Sequence, residues 1–335
     1  MCTMVHLLVI RKQALIHKQE ITMRKFVSVG VTILDILGRP MNAIAANQGS
    51  ELIEQIRITA AGTAAGPAVI GAKLGLDTTL IGAIGKDDMG AILNTMLVNH
   101  KVDTRYLQRY GEMPTSATIL AINSAGERPN FHALGAAFSL TIDAPMHNEI
   151  VAADHIHWGG VGLMPGVPDS LGAEILAEAR ANGATVTADL IAPGDHTWPA
   201  LEPLLPHIDY FMPAAEEAMA ISGATGVESA AAWFLDRGGR GCIFKMGAEG
   251  SYLATAGETA YIPSFPVQVV DTTGCGDSYC AALHAGLSHG MTLLEACHFA
   301  SATAALVASG LGSDAGVKDF DSTLAFMNAH RPQAS

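Results

Sequence analysis

The feature that most constrains this chain is an alternation. Short apolar, β-branched runs are followed repeatedly by helical segments of about ten to fifteen residues. "TTLIGAIG" leads into "DDMGAILNTMLVNH", "HIHWGG" into "DSLGAEILAEARANG", "ATVTADL" into a helix near Trp198, and "IDYFMP" into "AAEEAMAISG". Strand–helix–strand units of this kind close as right-handed crossovers, so they build an α/β fold with a mainly parallel central sheet and helices on both faces. "KFVSVGVTILDIL" (25–37) reads as the first strand, ending near Asp35, and "AGTAAGPAVIGAKLG" (61–75) as a helix of small residues. Two stretches break the rhythm. The segment 38–60 lacks helical periodicity, although "ELIEQIRITA" (51–60) alternates as a half-exposed strand does, and 116–133 holds further short strands. Both are expected to form a small β-sheet lid on one edge.

At 335 residues the chain can bury a large core, and residues 25–330 are expected to form one main domain with that lid as its appendage. A formal net charge of −13 argues against a nucleic-acid partner, whose phosphates demand a basic face. Anionic ligands would need local help from backbone amides or bound cations. The five cysteines (Cys2, Cys242, Cys275, Cys280 and Cys297) are odd in number and form no C-x-x-C pair, which points to reduced thiols and a cytoplasmic protein. Residues 1–24 read as a disordered leader or as the product of an upstream start, with Met23 as the expected beginning. The apolar run Val5–Ile10 is too short for a signal-peptide core and is cut by Arg11 and Lys12. No run approaches the length of a membrane span, so no membrane partner is expected.

The stretch richest in chemistry is "DTTGCGDSYCAALHAG" (271–286). It follows "FPVQVV" (265–270), which reads as a strand, and it opens an apolar helix. Ligands of parallel sheets gather outside the carboxyl ends of strands. Glycines at 274 and 276 allow consecutive N–H groups to point into one concavity, and the helix beginning near Asp277 adds its unpaired N–H groups and positive dipole end. Such a nest stabilises charge on a transferring phosphoryl group. Asp277, held ionised by the dipole, can accept the proton of an attacking hydroxyl. A plain glycine turn with Asp277 as helix cap is the structural alternative.

"DTTGCGD" resembles the D-T-x-G-A-G-D signature of the ribokinase-like (PfkB) carbohydrate kinase family, with Cys275 in place of the usual alanine. The likeness runs from about Phe26 to Phe326. "AAGTAAGPAVIGAKLG" is similar to the family's N-terminal glycine signature, "TTLIGAIGKDDMG" to its G-x-x-G-x-D-x-x-G segment, and "PTSATILAINSAGERPNFHALGAA" to its lid strands. The resemblance implies a ribokinase-like fold, often dimeric through the lid, and ATP-dependent phosphorylation of a hydroxymethyl group on a sugar or nucleoside. Asp277 would be the base, and the amides of Gly274, Cys275 and Gly276 the anion hole. Asp35, with Gly62, Thr63 and Gly66 of the glycine signature, would bind substrate. Lys245, Gly247, Gly250, Thr273 and Ser301 would lie by the nucleotide. Glu217 in "MPAAEEA" would order Mg²⁺ through water, and the backbone around Asp271, Thr273 and Gly312 resembles the family's monovalent-cation loop, which takes K⁺.

Three positions depart from the family pattern. Ala214 replaces the asparagine of N-x-x-E, Gly66 (followed by Pro67) that of the glycine signature, and Ala137 that of the G-A-N turn. The last two are expected to touch the substrate pocket and to make a standard ribose or fructose pocket doubtful. Rival chemistries find less support. "IGKDD" (84–88) has Leu80 and Asp87 where a phosphate-binding P-loop needs glycine and Ser or Thr. The string 310–315 fits a relaxed dinucleotide fingerprint but follows a helical run rather than a strand. His155 and His157 alternate in a strand beginning and read as structural, while His132 in the lid stretch can face substrate. A catalytically silent, sugar-binding relative is the alternative from another class, motivated by Ala214.

Overall fold

The computed structural model describes residues 24–330; the leader expectation therefore lies almost wholly outside the described residues. The strands are β1 (Lys25–Val29), β2 (Ile33–Arg39), β3 (Gln55–Ala61), β4 (Asp77–Gly85), β5 (Leu107–Tyr110), β6 (Ala117–Ala121), β7 (Asn130–Ala133), β8 (His155–Gly159), β9 (Thr185–Asp189), β10 (Tyr210–Phe211), β11 (Gly241–Lys245), β12 (Ser251–Thr255) and β13 (Thr259–Ile262). The helices are α1 (Gly62–Lys73), α2 (Asp88–Asn99), α3 (Ala144–Val151), α4 (Asp169–Ala181), α5 (Thr197–Leu201), α6 (Ala215–Ser222), α7 (Val227–Leu235), α8 (Cys275–Ser288), α9 (Leu293–Ala308) and α10 (Phe320–His330). A nine-stranded sheet has the order β13-β12-β11-β10-β9-β8-β1-β4-β5, and a four-stranded sheet the order β3-β2-β6-β7. The larger sheet is parallel from β11 through β5, and its β11–β12–β13 edge is antiparallel.

Central strands bury both faces, which is why they read as continuous apolar runs. On β11, Cys242 and Phe244 join a core with Trp158, Phe211 and Phe234, whereas Ile243 faces a second core with Phe26, Tyr279 and Phe299. That second core holds α8, whose Ala281, Ala282 and Ala285 let it lie close against its neighbours.

Two sequence expectations need correction. The run 25–37 is two strands in two sheets, not one. The break is Gly30, at φ +136°, where a Cβ would stand 2.1 Å from Gly159 O. Only glycine permits both the angle and the contact. Apolar character is the same in both sheets, so hydrophobicity alone conceals the division. "FPVQVV" is likewise no sheet strand. It runs extended past the end of α9, where Val270 N–H donates to Ala308 O at 2.8 Å instead of to a neighbouring strand.

The smaller sheet places one polar row across its inner face. Asp35 on β2 stands opposite Thr59 on β3 and Thr118 on β6, and Thr118 stands opposite His132 on β7. The adjacent row points outward and is apolar: Ile58, Ile36, Ile119 and Phe131 occupy successive strands.

Candidate active site

A cleft of about 1100 Å³ opens between the two sheets. Asp35, Gly62, Thr63, Glu217, Lys245, Gly247, Gly250, Thr273, Gly274, Cys275, Gly276, Asp277 and Ser301 all line it. Gly66, Asp271 and Gly312 do not. A Cβ at Gly66 would lie 3.0 Å from Asp277 Oδ2 and 3.1 Å from Asp277 Cβ, so Gly66 backs the carboxylate. Ala137 is also outside the cleft lining; it is fully buried beside Val31 and Ile33, behind a wall formed by Phe138 and Leu163.

The anion loop is built by backbone geometry. Gly274 precedes α8 at φ +76°, and a Cβ there would meet Ser313 Cα at 2.6 Å. Gly274→Ala is therefore expected to cost on the order of 1–3 kcal/mol from the backbone angle alone, with turnover falling as the loop shifts off Ser313. Urea unfolding and a turnover assay on one preparation check it, and wild-type values in both would remove Gly274 from the loop's design.

Asp277 sits in the first turn of α8 but is not its cap. Gly274 is the capping residue, and the Asp277 carboxylate makes no hydrogen bond among the described residues. Burial, reinforced by Asp189, pushes Asp277 up to about 7, against a smaller opposing pull from Lys245. The positive dipole end of α8 favours an ionised group; desolvation outweighs it. Asp35 is pushed up to about 7 as well, again by burial, with the Thr118 hydroxyl opposing. Thr118 Oγ1 also bonds His132 Nδ1 at 3.0 Å, whereas Thr59 Oγ1 in the same row is buried without a partner among the described residues. Thr63, at the start of α1, lines the cleft, while its Oγ1 is buried without a hydrogen-bond partner among the described residues.

Lys245 ends β11 with its Nζ 2.5 Å from Asp189 Oδ2, and Cys280 Sγ stands 3.6 Å from the same oxygen. Burial alone would lower the lysine, but Asp189, together with Cys280 and Asp277, outweighs it and holds the ammonium well above its usual range. Gly250, at φ +96°, makes the turn after Lys245; a Cβ would lie 2.0 Å from Ile262 O. Ser301 Oγ donates to Pro263 O at 2.9 Å, closing the wall that α9 gives the cleft. Glu217 Oε2 accepts from Ala214 N at 2.9 Å, so where an asparagine is missing the glutamate caps its own helix. Burial raises its pKa, partly offset by that N–H. Asp271 is enclosed: its Oδ1 accepts from Thr273 N and Oγ1 at 2.9 and 2.7 Å, and its Oδ2 from Gly312 N at 2.9 Å.

Two charged groups that line the cleft escaped sequence reasoning. Asp189 ends β9 at the carboxyl edge of the parallel sheet, a position that is itself a signal. Arg128, in the turn between β6 and β7, reaches into the cleft; its charge acts on Cys275 in the anion loop, on Asp35 and on Asp277. Nothing local in "AGERPNF" marks it.

Two sheets with a cleft between them, a glycine-built anion loop and an unbonded carboxylate beside it agree with the comparison to known families. The pattern described as pfkB family carbohydrate kinase matches residues 23–319. This chain belongs to that family. Among curated relatives of this kinase, a ribokinase from Haemophilus influenzae is 26% identical over 282 residues, covering 82% of this chain and 89% of the relative. A 2-dehydro-3-deoxygluconokinase from Bacillus subtilis is 24% identical over 279 residues, covering 78% and 84%. Near-equal likeness to kinases of two different acceptors leaves the acceptor open. The structure of Arabidopsis thaliana ribokinase complexed with ribose and ATP superimposes with a TM-score of 0.77 at 24% identity, covering 91% of this chain and 99% of that one. No helix among the described residues is long and apolar enough to cross a membrane.

Proposed function

We propose that this kinase transfers the γ-phosphoryl group of MgATP in line to a primary hydroxyl of a sugar or sugar-like small molecule, with Asp277 as general base. The observation that carries this reading is Asp277 itself. It is free of hydrogen bonds among the described residues, is poised near neutral pH, and adjoins the amides of Gly274, Cys275 and Gly276. A base with a pKa near the working pH balances availability against proton affinity. The amides receive the charge of the transferring group, and Arg128 adds a cation from the small-sheet side. Asp35, Thr63 and Gly62 hold the acceptor. Lys245, Gly247, Gly250, Thr273 and Ser301 line the nucleotide end.

Glu217, and the neighbouring Glu216 that also lines the cleft, would hold hydrated Mg²⁺ near the phosphates. Because both Asp271 oxygens already accept hydrogen bonds, a K⁺ ion at this loop would rest chiefly on main-chain oxygens around Asp271, Thr273 and Gly312. The free cysteines Cys242, Cys275, Cys280 and Cys297 suit a reducing, cytoplasmic setting.

A nucleoside acceptor is the second reading, and a specific surface favours it. Ile33, Phe138 and Leu163 form an apolar wall of the cleft beside Asp35, suited to the face of a base. An ADP-release screen with MgATP against pentoses, hexoses, keto-acid sugars and nucleosides separates the readings, with the Asp277→Asn protein run in parallel. Turnover that vanishes in the variant supports the kinase assignment and names the acceptor class; silence across the panel favours a non-catalytic sugar-binding relative. With the acceptor in hand, Asp35→Ala is expected to raise its KM about tenfold or more, the worth of hydrogen bonds to a charged group. An unchanged KM would remove Asp35 from the pocket.

The outward row of the small sheet supports a homodimer through the lid. Ile58, Ile119 and Phe131 are 39%, 50% and 57% exposed, and Ile56 on the same face of β3 is 67% exposed. An apolar patch of this kind seeks a partner face. Ile119→Lys is expected to convert a dimer to monomers in sedimentation velocity, and a wild-type chain that runs as a monomer would refute the proposal.

A further inference from the structure

The loop after α9 touches two neighbours at once. On one side it supports the anion loop: Gly312 N–H holds Asp271 Oδ2, Asp271 Oδ1 holds Thr273, and Ser313 lies in tight contact with Gly274. On the other side it is fastened to β3. Ser313 Oγ donates to Ala60 O at 2.8 Å, and a Cβ on Gly312 would come within 2.6 Å of Thr59 and 3.1 Å of Arg57. Arg57 donates to Leu311 O at 2.5 Å and to Asp314 Oδ1 at 2.6 Å.

Lys73, at the end of α1, completes the fastening. Its Nζ donates to Asp314 Oδ2 at 2.5 Å, Asp314 O at 2.9 Å and Val317 O at 3.2 Å. Asp314 is 7% exposed, and its two oxygens are divided between cations from two different elements. The segment "GLGSDAG" (310–316) contains three glycines and has little stiffness of its own. Its shape is therefore imposed from outside, and Asp314 is where the outside grips it. None of Arg57, Lys73 and Asp314 lines the cleft, so any effect on chemistry passes through the loop.

We propose that Asp314 is a positioning residue: clamped by Arg57 and Lys73, it holds residues 311–314 as a wedge that sets the anion loop in the shape that receives a γ-phosphoryl group. The wedge also joins that shape to β3, whose partner strand β2 carries Asp35. Acceptor and nucleotide ends of the cleft thus share one support. The inference rests on the kinase reading, since it assigns the γ-phosphoryl group to the anion loop.

The test compares two nucleotides by calorimetry, MgADP and the non-hydrolysable analogue MgAMP-PNP, on wild type, Arg57→Met, Arg57→Lys and Asp314→Asn. Only the analogue presents a third phosphoryl-like group. Arg57→Met and Asp314→Asn are expected to weaken MgAMP-PNP about tenfold while MgADP changes less than about twofold, with Arg57→Lys between wild type and Arg57→Met. Arg57 is 32% exposed, so its variants guard against an Asp314→Asn chain that fails to fold. Equal weakening of both nucleotides, or no weakening of either, overturns the proposal while leaving the kinase reading intact. A wild-type chain that binds neither nucleotide sinks the kinase reading, and the positioning role with it.

Discussion

Asp277→Asn is expected to lower kcat by about 10²–10⁴, the range for a positioned general base, with folding and MgATP binding preserved. The wild-type carboxylate accepts no hydrogen bond among the described residues, so the substitution strands no existing protein donor. Stability follows from the sign of the pKa shift. A carboxyl raised in the fold costs stability as pH climbs from its unfolded value through about 7, so removing it should leave the protein as stable or more stable above neutrality. Activity has the opposite sense. The base works ionised, so kcat/KM should rise with pH through about 7 in the wild type. Asp35 is raised to the same region, and its charge adds to the rise of Asp277 after the larger effects of burial and Asp189. Asp35→Asn removes a negative charge that raises Asp277, and the acid limb of its residual activity should move to lower pH. ADP release followed from pH 5 to 9 reads all three proteins, the wild type and the two asparagine variants. An active Asp277→Asn enzyme, or an acid limb unmoved in Asp35→Asn, would break the assignment.

What was legible in the sequence depended on how local each feature is. The anion loop and Asp277 occupy four consecutive residues, and the angle at Gly274 is a requirement that glycine itself announces. Asp35 was legible as a carboxylate near a strand end, although the strand belongs to the other sheet; Gly30 carried the signal for that break. The alternation of strands and helices foretold a mainly parallel layer because crossover geometry permits little else. Asp189 carried only the general signal of a parallel strand's carboxyl end, and Arg128 carried none, since the β6–β7 turn reaches the cleft only through the tertiary fold. That Gly66 and Ala137 stand behind the cleft lining was not legible for a related reason. A motif records which residue faces the ligand in relatives, whereas here packing turns Gly66 toward Asp277 and Ala137 into the core.

Lys245→Met should show how much of the site's stability depends on one pair. Asp189 is 3% exposed and has Lys245 Nζ at 2.5 Å. Deleting one partner of a buried ion pair leaves an uncompensated charge and costs about 3–5 kcal/mol, far more than deleting a surface pair. The cost should appear as a lower urea midpoint with an unchanged slope. The charge left behind also reaches the chemistry. Lys245 is the larger of the two cations that oppose the rise of Asp277, the other being Arg128, so its loss should drive Asp277 higher and move the acid limb of kcat/KM upward in pH. Adding Asp189→Asn to Lys245→Met removes both charges, and most of the lost stability should return, because a neutral buried amide needs no counter-ion. The same second change removes a carboxylate that raises Asp277, so the acid limb should move back down as well. A double variant no more stable than Lys245→Met alone would mean that the methionine's packing, not the stranded carboxylate, causes the loss. A single variant as stable as wild type would show that Asp189 has another means of compensation and that Lys245 serves the nucleotide alone.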